Sequence, residues 1–210
     1  MYLSRLILNE RQILVQRELS NAHALHQRIM HGFPDQPTKT PRSDWHILYR
    51  QEPDGCTLLV QSAIQPDWSR LPQGYVQRDP EVKIFDLKPE VLSKGRCFQF
   101  RLRANPSKRD RKTHKIIGFF RSEDQLEWLR RQGQQHGFEV LAAEGIPSPQ
   151  IFGIKKGLSG PVRIHTVLFQ GILRVTDAEA LVKAVQQGIG RGRSYGCGLL
   201  SLSKISYFPY

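Results

Sequence analysis

Two histidines stand three residues apart near the amino terminus, in the stretch NAHALHQRIMHGF. On a helix, His23 and His26 share one face, because residues three apart are neighbours on a helical surface. An imidazole takes up and releases protons near neutral pH, so the pair suits general acid–base catalysis. Metal-free RNA cleavage needs such groups: a base activates a 2′-hydroxyl for attack on phosphorus, and an acid protonates the departing 5′-oxygen.

Two other interpretations of this pair are a metal site and a structural role. Zinc needs a third or fourth ligand, and neither an HExxH motif nor a nearby carboxylate completes a set, so we predict no metal. The histidine face adjoins an apolar stripe at helical spacing, formed by Leu19, Ala22, Leu25 and Ile29. Half-buried structural histidines therefore remain an alternative to acid–base chemistry on residue types alone.

A second stretch, QQGIGRGRSYGCGLLSL, concentrates glycine and arginine. Its members are Gly188, Gly190, Arg191, Gly192, Arg193, Gly196 and Gly198. A dinucleotide-binding G-x-G-x-x-G follows a strand and opens a helix, whereas here a predicted helix comes first, and a Walker lysine is absent. Glycine tolerates positive φ, and successive N–H groups in a turn can hold an anion. The stretch is thus either a phosphate site or a flexible connection.

Basic residues outnumber acidic ones, giving a net charge of +12 and a pI near 10, which favours a polyanionic partner. They concentrate in RLRANPSKRDRKTHK and GIKKGLSGPVR. The candidate RNA-binding residues are Arg101, Arg103, Lys108, Arg109, Arg111, Lys112, Lys115, Lys155, Lys156 and Arg163. A solvated surface is the plain alternative. RNA is favoured over DNA because no helix-turn-helix, zinc finger or basic zipper is visible.

The remaining composition narrows the class of protein. Cys56, Cys97 and Cys197 are scattered and form no CxxC pair, so neither a disulfide framework nor a zinc site is indicated. The sequence contains no apolar run of membrane-spanning length and no signal-peptide layout. We therefore expect a cytoplasmic protein with no membrane association.

The predicted elements repeat one order twice, β-α-β-β-α-β, which is the ferredoxin-like pattern. In the first half, strands YLSRLIL, WHILYRQ, CTLLVQSA and VKIFDL surround the histidine helix and a weak helix, DWSRL. In the second half, strands RCFQFRLRAN, FEVLAAE, PVRIHTVLFQGILRVT and GLLSLSKI alternate with helices RSEDQLEWLRRQGQQHG and DAEALVKAVQQG. We expect an α+β protein with two tandem ferredoxin-like domains, at residues 1–88 and 95–210.

The chain resembles the CasE (Cse-three) family of CRISPR precursor-RNA endoribonucleases from type I-E Cascade complexes. The resemblance rests on MYLSRLIL, LHQRIMHGFP, CTLLVQSA, FRLRANPSK and TVLFQGILRVTDAEALVKAVQQGIGRGRSYGCGLLSL, and it spans essentially the whole chain. It implies two ferredoxin-like domains and metal-independent cleavage, without a cofactor, at the 3′ base of a repeat hairpin. It also implies that the protein remains bound to its product as a Cascade subunit.

The resemblance places the catalytic histidine at His26 and a structural or RNA-proximal histidine at His31. One position departs from the family pattern, because a tyrosine usually stands where this chain has His23. His23 is then either a second acid or base or only an RNA contact. An alternative function is a non-catalytic subunit of the same fold that binds the RNA hairpin within a ribonucleoprotein complex.

Overall fold

The computed structural model describes residues 1–35, 40–154, 157 and 160–205. The first half of the chain forms an antiparallel sheet from β1 (Tyr2–Ile7), β2 (Leu48–Gln51), β3 (Thr57–Ser62) and β4 (Glu81–Ile84). The strand order is β2-β3-β1-β4, with Arg5 of β1 opposite Leu59 on one side and Glu81 on the other. This order is the one that a βαββαβ chain needs to place its strands in a single antiparallel sheet.

The helices of this half are α1 (Ile13–Leu19), α2 (Ala22–Met30) and the short α3 (Pro41–Asp44). Leu25 and Ile29 of α2 are buried against strand residues such as Leu58, because the apolar stripe of the helix covers the sheet. The predicted helix at DWSRL is a single 3₁₀ turn over Trp68–Arg70. The helix expected from ELSNAHALHQRIMHGF is divided between α1 and α2, which meet at Ser20 and Asn21.

The second half repeats the arrangement with β5 (Cys97–Ala104), β8 (Phe138–Gly153), β9 (Val162–Val175) and β10 (Leu200–Lys204). The order β10-β5-β9-β8 corresponds strand for strand to that of the first sheet. Helices α4 (Ser122–Gln135) and α5 (Ala178–Gln187) cover the sheet, and Trp128, Phe169 and Leu181 lie in their common core. The prediction of an α+β protein with tandem ferredoxin-like folds is confirmed.

Two elements of the second half differ from their predictions. The basic segment after β5, expected to be a loop, contains a hairpin of β6 (Ser107–Arg109) and β7 (Ile116–Gly118). Asp110 stabilises its turn, because its carboxylate accepts hydrogen bonds from the backbone of Lys112 and Thr113. The β8 strand is far longer than FEVLAAE, and β9 is one continuous strand that pairs with it through two bulges.

Charged side chains of the first domain are buried against the second. Arg50 is only 2% exposed, and its guanidinium donates to the backbone oxygens of Arg101 and Leu199. Glu52 accepts hydrogen bonds from Arg50 at 2.6 Å and from Arg101 at 2.9 Å, so one carboxylate links two cations. Burial lowers the pKa of Arg50, and Glu52 opposes that shift. This network fixes the first sheet against the second.

Candidate active site

Helix α2 places the two histidines at the junction of the domains. Asn21 is its N-cap, and its side-chain oxygen accepts a hydrogen bond from the backbone N–H of His23 at 3.2 Å. The same oxygen accepts from the backbone N–H of Ile154, just beyond β8, at 3.0 Å. A single amide therefore caps the histidine helix and fastens it to the second domain.

His23 and His26 both face one aromatic side chain of the glycine-rich loop. The ring centroid of Tyr195 lies 6.5 Å from that of His23 and 6.3 Å from that of His26. The interplanar angles are 71° and 79°, so both contacts are edge-to-face, an arrangement that aromatic pairs favour. The structure thus brings together the two motifs that the sequence analysis singled out, and it adds a tyrosine.

The glycine-rich loop owes its path to backbone conformations that other residues rarely adopt. Gly188, Gly190, Gly192, Gly196 and Gly198 all have φ between 78° and 91°. At Gly196 an added Cβ would also lie 3.1 Å from the ring of Tyr49, and at Gly198 it would lie 3.0 Å from the carbonyl oxygen of Ile189. The glycines therefore permit a tight turn against the first domain rather than a flexible connection.

Tyr49 of β2 fixes the turn that carries Tyr195. Its buried hydroxyl donates a hydrogen bond to the carbonyl oxygen of Ser194 at 3.2 Å. Burial is the main cause that raises the pKa of Tyr49 far above its usual value, so the phenol remains protonated and keeps donating. The residue before Tyr195 is therefore tied to the first domain, which also carries both histidines.

The loop presents backbone donors and positive charge. Within the described parts of the chain, the N–H groups of Arg191, Gly192 and Arg193 donate to no protein acceptor. Arg191 is exposed, whereas Arg193 is half-buried and its Nε donates to the carbonyl oxygen of Gly190 at 2.9 Å. Three consecutive unused N–H groups beside arginine side chains are suited to hold a phosphate.

Two basic side chains lie near Arg193. Burial lowers the pKa of Arg42 and of the half-buried His136, and in both cases the positive charge of Arg193 lowers it further. Burial also lowers the pKa of Arg193 itself. The lowered pKa favours the neutral form of His136, so the positive charge at the loop comes from the arginines, and an anionic ligand would offset it.

One ring nitrogen of His23 is buried without a hydrogen-bond partner among the described residues. This atom is Nδ1. Nδ1 is unpaired whether or not it carries the proton, so proton exchange with a bound ligand would use Nε2. When Nε2 is protonated, His23 can donate a hydrogen bond through it, which is a role that a tyrosine hydroxyl can also fill.

Cys197 lies under the same loop and is inert. Its thiol is fully buried, and burial raises its pKa to about 12. The thiolate is the reactive form of cysteine, so this residue packs as a small apolar side chain beside Ala22 and Ile164.

The structure divides the predicted RNA-binding residues into two groups. Arg103 is 7% exposed and donates to the hydroxyl of Thr166 and the carbonyl oxygen of Pro149, while Arg101 is paired with Glu52. Arg103 is thus bonded within the second domain, whereas Arg101 remains 43% exposed and reaches Glu52 of the first domain. The exposed group comprises Lys108, Arg109, Arg111, Lys112 and Lys115 on the β6–β7 hairpin and Arg163 at the start of β9.

Lys155 and Lys156 lie outside the described residues. Across the described ranges, no three histidine, cysteine or acidic side chains gather closely enough to hold a metal ion. None of the helices over those same residues combines the length and apolar character needed to cross a bilayer.

Sequence analysis missed Tyr195 and Tyr49 as parts of this site. Tyr195 lies within the glycine-rich stretch, where the glycines and arginines around it give the stronger signal. No local signal identifies Tyr49, because its strand has the pattern of an ordinary buried strand. Only the tertiary fold brings Tyr49 under the glycine-rich loop.

Comparisons with known proteins give a consistent result. A family model described as "CRISPR associated protein" matches residues 1–204. The CRISPR-associated endoribonuclease Cse3 of Thermus thermophilus is 31% identical, and the match covers 97% of this chain and all of that protein. The Cascade subunit CasE of Escherichia coli is 33% identical, with 98% of this chain and all of that protein covered. A solved structure of the endoribonuclease Cse3 bound to a 19-nucleotide RNA superposes with a TM-score of 0.83 at 30% identity, covering 97% of this chain and all of that one.

Proposed function

Since this chain belongs to the CRISPR-associated protein family that includes Cse3 and CasE, we propose that it is an endoribonuclease acting on CRISPR precursor RNA. It cleaves at the 3′ base of each repeat hairpin, in the cytoplasm, and stays bound to the product as a Cascade subunit. The observation that carries this proposal is the meeting of His23 and His26 with Tyr195 of the glycine-rich loop.

The histidines supply the proton transfers. His26 acts as the principal general acid or base, and His23 assists as a donor through Nε2, the nitrogen available to a bound ligand because Nδ1 is buried. The 2′-hydroxyl loses its proton and attacks the adjacent phosphorus, the P–O5′ bond breaks, and the 5′-oxygen gains a proton. The products are a 2′,3′-cyclic phosphate and a 5′-hydroxyl, and the reaction consumes no water or redox equivalent.

The glycine-rich loop stabilises the charge that develops on phosphorus. Its unused N–H groups at Arg191, Gly192 and Arg193 point to an anion site, and the guanidinium groups add positive charge. Because Tyr195 belongs to the same turn, the loop that holds the phosphate also sets its distance from the imidazoles. The transition state is thus held between the two domains.

The exposed β6–β7 hairpin binds the phosphates of the RNA stem. Its cations Lys108, Arg109 and Lys115 are solvent-exposed, and the strand pair holds them on a defined surface. Arg101 and Arg103 have internal partners, so we assign them to the packing of the two domains.

A cleavage assay with EDTA tests this function. The substrate is a labelled CRISPR repeat hairpin with unpaired flanks on both sides, and product termini are analysed by mass spectrometry. We expect one cut at the 3′ base of the stem and a cyclic phosphate on the upstream product. If no cleavage occurs in EDTA and added Mg²⁺ restores it, the metal-independent mechanism is overturned.

The non-catalytic alternative has its own outcome in the same assay. Tight binding of the hairpin with no product at any pH or ionic condition would identify a packaging subunit. The two half-buried histidines favour the enzyme, since a binding module has no need for two imidazoles against one tyrosine.

A further inference from the structure

Phe120 is an exposed aromatic side chain on a strongly basic surface. It is 73% exposed, although a phenylalanine gains free energy by burial. Its ring packs against the imidazole of His165, with the two ring centroids 4.8 Å apart and the ring planes inclined at 39°. One face of the phenyl ring is therefore supported by the protein, and the large exposed fraction leaves the other face to solvent.

Neighbouring residues hold this pair of rings in place. Gln125 of α4 donates from Nε2 to the carbonyl oxygen of Phe119 at 3.0 Å. The same Nε2 lies 3.4 Å from Nε2 of His165. The amide thus links the backbone beside Phe120 to the imidazole beneath it. Because the support is fixed before any ligand arrives, stacking on Phe120 would cost little ordering entropy.

The platform lies at the same end of the second sheet as the active site. His165 follows Ile164, which packs with Ala22 at the start of α2 and lies 3.5 Å from the Cβ position of Gly192. Beyond the paired residues Ala104 and Val167, β5 ends and the chain enters the β6–β7 hairpin. Successive side chains of β9 point to opposite faces of the sheet, so Ile164 contacts the active-site side whereas His165 and Phe120 lie toward α4 at the same end of the sheet.

Positive charge surrounds the ring and its neighbour. Lys108 and Arg131 both lie over the ring of Phe119, at 5.7 and 5.8 Å from its centroid. The turn of the β6–β7 hairpin adds further exposed cations. An exposed aromatic ring within a cationic surface is the arrangement by which proteins stack unpaired bases while binding the phosphates beside them. An apolar protein partner would have to neutralise or desolvate these charges.

We propose that Phe120, supported by His165, is a stacking platform for one unpaired nucleobase that flanks the RNA hairpin. This inference rests on the proposed function, since it presumes that a repeat hairpin occupies the basic surface. A base pair inside the stem presents its edges to the groove, whereas an unpaired flanking base can offer the ring face that stacking requires.

Site-specific fluorescence tests the platform. Single 2-aminopurine substitutions are placed at each unpaired position flanking a non-cleavable hairpin that carries a 2′-deoxy nucleotide at the cut site. The wild type should change the emission of the probe at one position, because stacking alters 2-aminopurine fluorescence. Phe120→Ala should abolish that change and weaken binding by roughly fivefold or more, whereas Phe120→Trp should retain both.

Two controls separate this inference from the parent proposal. Ile84→Ala removes an exposed apolar side chain from β4 of the other sheet and should leave the signal intact. A hairpin without flanking nucleotides should bind wild type and Phe120→Ala equally. If the wild type binds and cleaves the hairpin but Phe120→Ala alters neither the 2-aminopurine emission nor the hairpin affinity, the stacking platform is refuted and the proposed function stands. If the wild type fails to bind the hairpin, the proposed function fails with it.

Discussion

The imidazole of His26 stands 6.3 Å from the ring of Tyr195, with the two planes inclined at 79°. One residue comes from the first domain and the other from the loop before the last strand of the second. The candidate active site is therefore complete only when the two domains are docked. The Asn21 cap and the hydrogen bond from Tyr49 to Ser194 maintain that docking on either side of the ring contact.

His26→Ala should abolish cleavage and preserve binding. Loss of a general acid or base costs about 10²–10⁴-fold in rate, whereas a half-buried ring on this face contributes little to phosphate contacts. Single-turnover cleavage and filter binding of the same hairpin measure the two effects. Gln27→Ala, which removes an exposed polar side chain from the same helix, is the matched control and should cleave normally. Wild-type rates for His26→Ala would refute its assignment.

His23→Ala should slow cleavage less than His26→Ala, and His23→Tyr should restore much of the rate. Because Nδ1 is buried, Nε2 is the nitrogen available to donate, and a tyrosine hydroxyl can replace a donor but not a base. Single-turnover rates of the three proteins distinguish the roles. A Tyr variant as slow as the Ala variant would show that His23 contributes its basic nitrogen.

Tyr195→Leu should lower the cleavage rate by about tenfold or more, while Tyr195→Phe should remain within a few-fold of wild type. The contacts of Tyr195 with both imidazoles are made by its ring, and a phenyl ring retains this edge-to-face packing. Histidine side-chain NMR signals provide a second measurement, because they shift when the ring current of Tyr195 is lost. Equal defects in Phe and Leu variants would assign the effect to the hydroxyl instead.

Local patterns in the sequence were sufficient for the elements that carry the site. The spacing of Leu25 and Ile29 predicted the face that α2 buries, and this placed His23 and His26 on the adjoining, half-buried face. The repeated βαββαβ order was readable because each strand and helix follows its own periodicity.

Contacts between residues distant in sequence could not be predicted from local patterns. Arg103 alternates with apolar residues along β5, which predicts a solvent-facing side chain, yet it is 7% exposed and bonded to Pro149 and Thr166 of the neighbouring strands. The β6–β7 hairpin escaped prediction because its strands contain only three residues each and a charged turn. Tyr49 and Tyr195 are distant in sequence from the helix that they serve, so no spacing rule connects them.

Removing two cations from the hairpin, Lys108→Ala with Arg109→Ala, should weaken RNA binding and reduce its salt dependence. Each lost phosphate contact lowers the slope of log affinity against log salt concentration by about one. Titrations at several salt concentrations give that slope. The control pair, Lys83→Ala with Lys94→Ala, removes the same charge from exposed positions on β4 and between β4 and β5. It should leave the slope of log affinity against log salt concentration unchanged. Equal effects of the two pairs would indicate attraction by net charge alone.

Cys197 should resist alkylation in the folded protein, whereas Cys56 and Cys97 should react. Burial raises the pKa of Cys197 to about 12, so its sulfur stays protonated and shielded as the pH rises toward about 9, the range in which an ordinary thiol becomes reactive. Iodoacetamide labelling followed by peptide mass spectrometry measures each site. Tyr195→Leu should speed labelling of Cys197 alone, because Tyr195 packs against the cluster that contains it. Equal labelling of all three cysteines in the wild type would show that the loop opens freely, which would contradict its role in fixing Tyr195 against the histidines.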